Sequence, residues 1–289
     1  KKVTLFHTEF FFSGGAEHTL LETIEFLQNS GYSVECYAPY VNKKTCFPDL
    51  IQEYPISSLL PNWLIKLPLP REIFLLIAAM LAPFLMRKFK SSDLYYGANQ
   101  AGPFFAYVAW LINRKPYIVY MPYPQSFLYP RQIDTEFGEQ SDMGILIKIF
   151  IKWIKPFFKK IDLSIMKHAQ EVITEGTYAQ TLFQNIYQRN CINCPPGAIP
   201  ISVKELNTIN RFEGTVNLGG ITISKPYILL TNRHMPKKKF EYAIYALDYL
   251  KSKYKDVNKL VITGSQNAYT NELMKLIKKK NLENEITFT

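Results

Sequence analysis

Short apolar runs alternate with stretches of helical periodicity along most of the chain, and that alternation restricts the folds open to it. Val3–His7 reads as a strand, Ala16–Ser30 as a helix with Leu20, Leu21, Ile24 and Leu27 on its inner side, and Ser33–Ala38 as a second strand after the turn at Gly31. Strands at Leu94–Tyr96, Tyr117–Met121 and Glu171–Thr174 and a helix over Pro103–Ile112 continue the series. A second series begins near Pro226. It comprises a buried strand Tyr227–Thr231, a helix Lys237–Tyr254 with Phe240, Ile244, Leu247 and Leu250 on one face, a strand Lys259–Thr263, a helix Ala268–Lys280 and a strand Glu285–Thr289. Such βαβ repetition specifies a mostly parallel sheet with helices on both faces. Between the series, Val203–Ser224 is rich in Asn, Thr and Gly, lacks periodicity and reads as a connection. The expected architecture is α/β: two doubly wound domains, residues 1–200 and 201–289, the second incomplete because the chain stops on a strand and starts without Met.

The composition narrows the partners. A net charge of +10 over 289 residues calls for an anionic surface or ligand: lipid headgroups, nucleic acid or a phosphorylated small molecule. No nucleic-acid motif accompanies that charge, so nucleic acid is set aside. The four cysteines are too few for a disulfide scaffold. Cys191 and Cys194 form a single CxxC with no second pair and no histidine spacing to complete a zinc site, and the carboxylate spacing suggests no metal. Two segments stand out from the α/β pattern. Ile73–Met86 is almost wholly apolar yet shorter than the roughly 20 residues that span a bilayer. Gly144–Lys160 carries Lys148, Lys152, Lys155 and Lys159 on one helical face, with Trp153 and bulky apolar residues on the other. That is the composition of a helix at an anionic membrane interface, and also of an amphipathic helix packed on a sheet with solvated lysines.

Two turns carry residues suited to phosphate. After the first strand, Ser13-Gly14-Gly15-Ala16-Glu17 opens a helix, where glycines let a ligand approach backbone N–H groups at the positive end of the dipole. It is not the GxGxxG fingerprint of dinucleotide binding. After Tyr227–Thr231, Arg233 and Lys238 flank the start of the next helix. Taken alone, that pair also fits an ordinary solvated turn in a lysine-rich stretch.

In order along the chain, these landmarks resemble the family 4 retaining glycosyltransferases of the GT-B fold, built from two Rossmann-like domains. Gly14-Gly15-Ala16-Glu17 matches their opening loop, Glu171–Gly176 resembles the strand that usually ends in serine, and Cys194-Pro195-Pro196-Gly197-Ala198 matches the turn closing the first domain. Asn232-Arg233 with Lys238 matches the Gly-Arg…Lys motif, with asparagine for glycine, and Leu260–Gly264 and Glu285–Phe288 resemble the next donor-domain strands. The resemblance implies a nucleotide-sugar site in the second domain and an acceptor site in the first. Arg233 and Lys238 would contact the donor diphosphate and stabilise the departing charge, with Gly14, Gly15 and Gly264 also at the donor. Glu17, Asn99, Gln100 and Tyr123 would lie at the acceptor or in the cleft. It requires no metal and no cofactor beyond the sugar donor itself.

One departure bears on the chemistry. Many family members carry a histidine after the strand equivalent to Tyr117–Met121, and here Pro122 stands in its place. Proline neither donates a hydrogen bond nor shuttles a proton. His7 and His18 lie near the glycine loop as possible substitutes, and His234 adjoins Arg233 as a donor-site neighbour. The implied activity is retaining transfer of a hexose from a UDP- or GDP-sugar to a lipid-linked (polyprenyl) or polysaccharide acceptor at the cytoplasmic membrane face. The Tyr120–Pro124 run is also similar to that of mannosyltransferases of lipid-linked oligosaccharide assembly. Ile73–Met86 and Gly144–Lys160 would provide peripheral membrane contact. The alternative is a non-catalytic, membrane-associated GT-B partner subunit.

Overall fold

A computed structural model describes residues 1–132, 134, 145–197, 214–218, 220–254 and 257–289, with the side chains of Arg71, residues 145–151 and Leu218 excepted. Backbone packing divides the chain into two units, Lys1–Arg131 with Met143–Gly197, and Gln132–Asp142 with Ala198–Thr289.

The first unit is built on a seven-stranded parallel sheet. Its strands are β1 (Lys2–Phe6), β2 (Ser33–Ala38), β3 (Ile56–Ser58), β4 (Leu94–Ala98), β5 (Tyr117–Tyr120), β6 (Glu171–Thr174) and β7 (Ile192–Asn193), in the order β3-β2-β1-β4-β5-β6-β7. Strand alternation sends successive side chains to opposite faces, and each face has its own core. Val3, Leu5, Cys36, Tyr96 and Ala98 pack with Leu20, Leu21 and Ile24 of α1 (Gly15–Asn29) on one side. On the other, Phe6, Tyr95, Tyr117, Val119 and Val172 pack with Phe105, Ala106 and Ala109 of α4 (Gly102–Asn113) and with Ile165 and Met166 of α5 (Ile145–His168). Burial on both faces is why the central strands read as unbroken apolar runs. The helices α2 (Asn62–Ile65), α3 (Arg71–Leu85) and α6 (Gly176–Tyr187) complete this unit.

The second unit contains the antiparallel hairpin β8 (Thr215–Leu218) and β9 (Ile221–Ser224), and a parallel sheet β10 (Tyr227–Thr231), β11 (Lys259–Thr263), β12 (Ile286–Phe288). Helices α7 (Phe240–Lys253) and α8 (Ala268–Lys279) cover one face of that sheet through Phe240, Ile244, Leu247, Leu273 and Ile277.

Three sequence expectations need correction. The stretch ending at Ser224 is not a featureless connection, since its described part is a hairpin. Thr215-Val-Asn-Leu and Ile221-Thr-Ile-Ser alternate around a Gly-Gly turn in which Gly220 takes φ +83° and its N–H is accepted by Asn217 Oδ1 at 3.0 Å; residues 203–213 lie outside the described residues. Strand β10 is not buried, because it is an edge strand of its three-stranded sheet and leaves Ile228 and Leu229 exposed. The helix expected from Lys237 begins instead at Phe240, because Pro236–Lys238 closes a separate 3-10 turn and Lys239 adopts φ +55°.

Among the described residues, no helix is long and apolar enough to cross a membrane. Gly144 and the side chains of residues 145–151, Lys148 among them, lie outside the described part of α5. In the rest of that helix Lys152 is exposed, whereas Lys155 and Lys159 are half-buried, with Lys159 Nζ 5.0 Å from the Tyr129 ring centre. The bulky side chains point outward, Trp153 at 80% and Phe157 at 63% exposure.

Candidate functional site

In an open α/β sheet, ligands bind beyond the carboxyl ends of the strands where the strand order reverses. In the first unit that point lies between β1 and β4, and the loops leaving those strands meet there. His7 and Thr8 follow β1, and Asn99 and Gln100 follow β4. The Ala101 N–H donates to Thr8 Oγ1 at 3.1 Å, fastening the start of α4 to the β1 loop. This approach is only possible because position 102 is glycine: a Cβ there would collide with the carbonyl of Phe6.

Asn99 turns the chain at φ +59° and aims its side-chain amide at His7, with Nδ2 3.2 Å from His7 Nδ1. A donating amide on Nδ1 puts the ring proton on Nε2. That nitrogen is buried, has no hydrogen-bond partner among the described residues, and lies 3.5 Å from Glu17 Oε1. Glu17 sits in the first turn of α1, where its charge complements the helix dipole, and its other carboxylate oxygen lies where a Cβ on Gly14 would be. Gly14 is therefore held open for the Glu17 carboxylate, whereas a Cβ on Gly15 would meet nothing within 4 Å. Asn99, His7, Glu17 and Gly14 form one cluster.

The other expected residues of this unit lie outside that cluster. Gln100 is exposed and offers its carbonyl to Gln125 Nε2 at 2.9 Å. Tyr123 is exposed beneath the Arg131 guanidinium, 4.9 Å from its ring centre. His18 is not a substitute base in the cluster, since it turns along α1 towards Glu22 at 3.7 Å and packs against Phe47. The Pro122 carbonyl accepts from Thr174 Oγ1 at 3.1 Å, so its loop is tied to β6. Next to it, Tyr120 donates to Glu175 Oε1 at 2.6 Å, and burial together with that carboxylate raises the tyrosine pKa far above its ordinary value. The Tyr120–Glu175 pair escapes sequence reasoning, because 55 residues separate partners that only the β5–β6 pairing brings together.

In the second unit, the β10–α7 turn is fixed from below. His234 is buried between Phe240 and Phe288, with ring centres 5.0 and 5.7 Å away, and its Nδ1 lies 2.8 Å from Thr270 Oγ1. It is an anchor next to Arg233: the ring fills the core under the turn. Asn267 caps α8 through a capping box with Thr270 and donates its Nδ2 to the His234 carbonyl at 2.7 Å. Gly264, at φ +139°, brings the β11 loop against the Asn232 carbonyl, where any Cβ would clash. It shapes the turn through the backbone, with no side chain to offer a ligand. With His234 drawn inward, Arg233 and Lys238 remain outside. Both are exposed, and among the described residues neither side chain makes an ion pair or hydrogen bond. Two unpaired cations thus stand at the carboxyl edge of a parallel sheet, close to the N-terminus of α7, an arrangement suited to an anion.

No protein-family model matches the chain, and no curated protein matches its sequence. Solved structures do match its fold. It is similar to Anabaena HepE in complex with UDP-glucose, at 16% identity and TM-score 0.62, covering 100% of this chain and 68% of that one. It is similar to WaaG, a glycosyltransferase of lipopolysaccharide biosynthesis, at 13% identity and TM-score 0.55, covering 99% and 69%. A variant of S. aureus TarM in complex with fondaparinux, alpha-GlcNAc-glycerol and UDP matches at 9% identity and TM-score 0.60, covering 100% and 77%. These are GT-B glycosyltransferases, and the chain has that architecture of Rossmann-like α/β units.

Proposed function

We propose that the chain is a retaining glycosyltransferase that moves a hexose from a UDP- or GDP-sugar to a lipid-linked or polysaccharide acceptor at the cytoplasmic membrane face. The observation that carries this reading is the pair Arg233 and Lys238, exposed and unpaired on a turn pinned by His234, in a chain whose fold matches proteins solved with UDP-glucose and with UDP. In this reading the two cations hold the donor diphosphate and neutralise the charge that grows on it as the glycosidic bond breaks. Fixed charges act without reorganisation at the moment of reaction, and each such contact contributes about 10²–10³ in rate. Gly15 leaves room for substrate next to backbone N–H groups, Gly14 makes room for the Glu17 carboxylate, and Gly264 keeps the cationic turn in shape. Glu17, steered by His7 and Asn99, offers a carboxylate to an acceptor hydroxyl, with Gln100 and Tyr123 as outer contacts. The acceptor is read as lipid-linked because the first unit leaves large apolar side chains on α3 and α5 uncovered. The membrane contact is assigned to those two helices.

The test is turnover of UDP-glucose and GDP-mannose with membrane extract as acceptor source. Arg233→Ala should abolish transfer while leaving the circular dichroism spectrum and Tm unchanged; undiminished turnover contradicts the assignment. A second reading, a non-catalytic partner subunit, is favoured by Pro122 in the position where relatives carry a histidine. Nucleotide binding with no turnover against any membrane acceptor would favour it.

A further inference from the structure

The loop that carries Gly14 also lines a groove rich in aromatic and aliphatic side chains. Phe10 is fully buried and anchors the loop, its N–H donating to the Tyr40 carbonyl at 3.0 Å and its carbonyl accepting from Asn42 N–H at 2.7 Å. Thr45 Oγ1 donates to the Phe11 carbonyl at 2.7 Å, and Ser13 Oγ accepts from Phe47 N–H at 2.9 Å. So stapled, Phe11 and Phe12 form one wall of a cavity of about 440 Å³. Leu67, Leu69 and Phe74 also line it, with Glu72 as its one charged residue, and Tyr40 stacks on Phe74 at 5.3 Å with the rings 6° apart. All of these lie on segments that follow β1, β2 and β3, hence at the carboxyl edge where the His7–Glu17 cluster also sits.

The groove adjoins the start of α3, which after Arg71 and Glu72 is apolar all round. Phe74, Ala78 and Ala82 of α3 face the core. Leu76, Met80 and Phe84, spaced four apart on another side, are 59, 72 and 66% exposed. A helix covered on one side only, with a bare apolar stripe on the other, needs a nonpolar cover. The charges around it select which cover. Exposed Lys66 precedes the helix, and exposed Arg87 and Lys90 follow it, with the Arg87 guanidinium 5.4 Å over the Phe84 ring, while Lys88 turns its ammonium onto Tyr37 and Phe89. A basic border around an apolar stripe is complementary to an anionic bilayer.

We propose that this groove binds a single hydrocarbon chain, alkyl or prenyl, of an anionic lipid acceptor, while the Leu76–Met80–Phe84 stripe rests in the bilayer from which that lipid comes. The inference rests on the glycosyl-transfer reading for the word acceptor; the groove and its ligand class stand on the walls described. It gives the sequence Phe10-Phe11-Phe12-Ser13-Gly14 one continuous role, with the lipid chain held by the phenylalanines and its polar end delivered towards Gly14 and Glu17.

The experiment uses the full chain and farnesyl monophosphate below its micellar concentration, titrated calorimetrically against inorganic phosphate as control. Farnesyl monophosphate should bind at least tenfold tighter than phosphate. Phe12→Asp and Leu67→Asp, on separate elements and both exposed, should each lower that affinity at least tenfold with an unchanged Tm. Sedimentation with phosphatidylglycerol–phosphatidylcholine vesicles should capture the wild type and lose the Met80→Asp, Phe84→Asp double variant. Farnesyl monophosphate binding no tighter than phosphate, or wild-type affinity in both groove variants, overturns the proposal. UDP binding, read in parallel, separates the two ideas. A chain that binds UDP but not the prenyl phosphate loses the groove and keeps the transferase reading; the converse result keeps the groove and removes the transferase.

Discussion

The two candidate regions solve the problem of holding polar groups in opposite ways. At the β1–β4 edge the polar groups interlock around the buried His7: half-buried Asn99 on His7, His7 beside half-buried Glu17, Glu17 over Gly14, and α4 clasped by Thr8. At the β10–α7 turn the backbone is pinned by a buried histidine and a capped neighbouring helix, while Arg233 and Lys238 are exposed and unpaired among the described residues. Buried polar clusters are expensive to disturb and show their electrostatics as stability. Free surface cations add little to stability and show theirs as binding, with sensitivity to salt. The first region is prepared to orient an uncharged group, and the second to meet an anion.

The largest effect expected from this contrast is kinetic. The double variant Arg233→Ala, Lys238→Ala should lose at least about 10³ in kcat/KM, or ~4 kcal/mol, with no change in Tm. A comparable drop in Tm would mean that the cations belong to the fold and would dissolve the distinction. Next comes a backbone test at the buried edge. Gly102→Ala should destabilise the chain by about 3 kcal/mol in urea denaturation, because its Cβ meets the Phe6 carbonyl. Gly15→Ala, with open space around it, should leave stability within about 0.5 kcal/mol. Equal costs at the two glycines would refute the claimed close approach.

A third test uses Asp162, buried on α5, where Oδ2 accepts from Tyr187 at 2.7 Å. Burial raises its pKa to about 6, against the opposing pull of the Tyr187 hydrogen bond and the neighbouring Tyr129 hydroxyl. The folded state therefore holds this proton more tightly than the unfolded chain. The stabilisation is complete below the ordinary carboxylate pKa and is lost as pH rises through about 6. Asp162→Asn, which keeps an acceptor for Tyr187, should be more stable than wild type by about 2 kcal/mol at pH 8 and show no advantage at pH 4. A gain independent of pH would contradict the assignment. The smallest effect is ionic: raising salt from about 0.05 to 0.5 M should weaken UDP binding several-fold while barely moving Tm.

Much of this molecule was readable before any coordinates. The β1–α1–β2 and β10–α7–β11–α8–β12 series are legible because each element carries its own periodicity, and Glu17, Gly14 and Asn99, which gather beside His7, all lie at strand-to-helix turns. The errors have local causes. The β8–β9 hairpin was read as a connection because its Asn and Gly residues resemble loop composition, although the flanking β-branched residues alternate around Gly-Gly. Nothing in Lys237-Lys238-Lys239 announces that the third lysine takes a left-handed conformation and ends the turn. His234 and His18 could not be sorted into buried anchor and surface residue, since that depends on Phe288 and Thr270 arriving from distant sequence.

The central claim is that Arg233 and Lys238 receive a nucleoside diphosphate, and calorimetric titration of UDP and GDP into the wild type and Arg233→Ala tests it most directly. Saturable binding of one nucleotide by the wild type, weakened at least tenfold in Arg233→Ala, is the predicted result. Binding of equal strength in both proteins, or no binding of either nucleotide to the wild type, would contradict it.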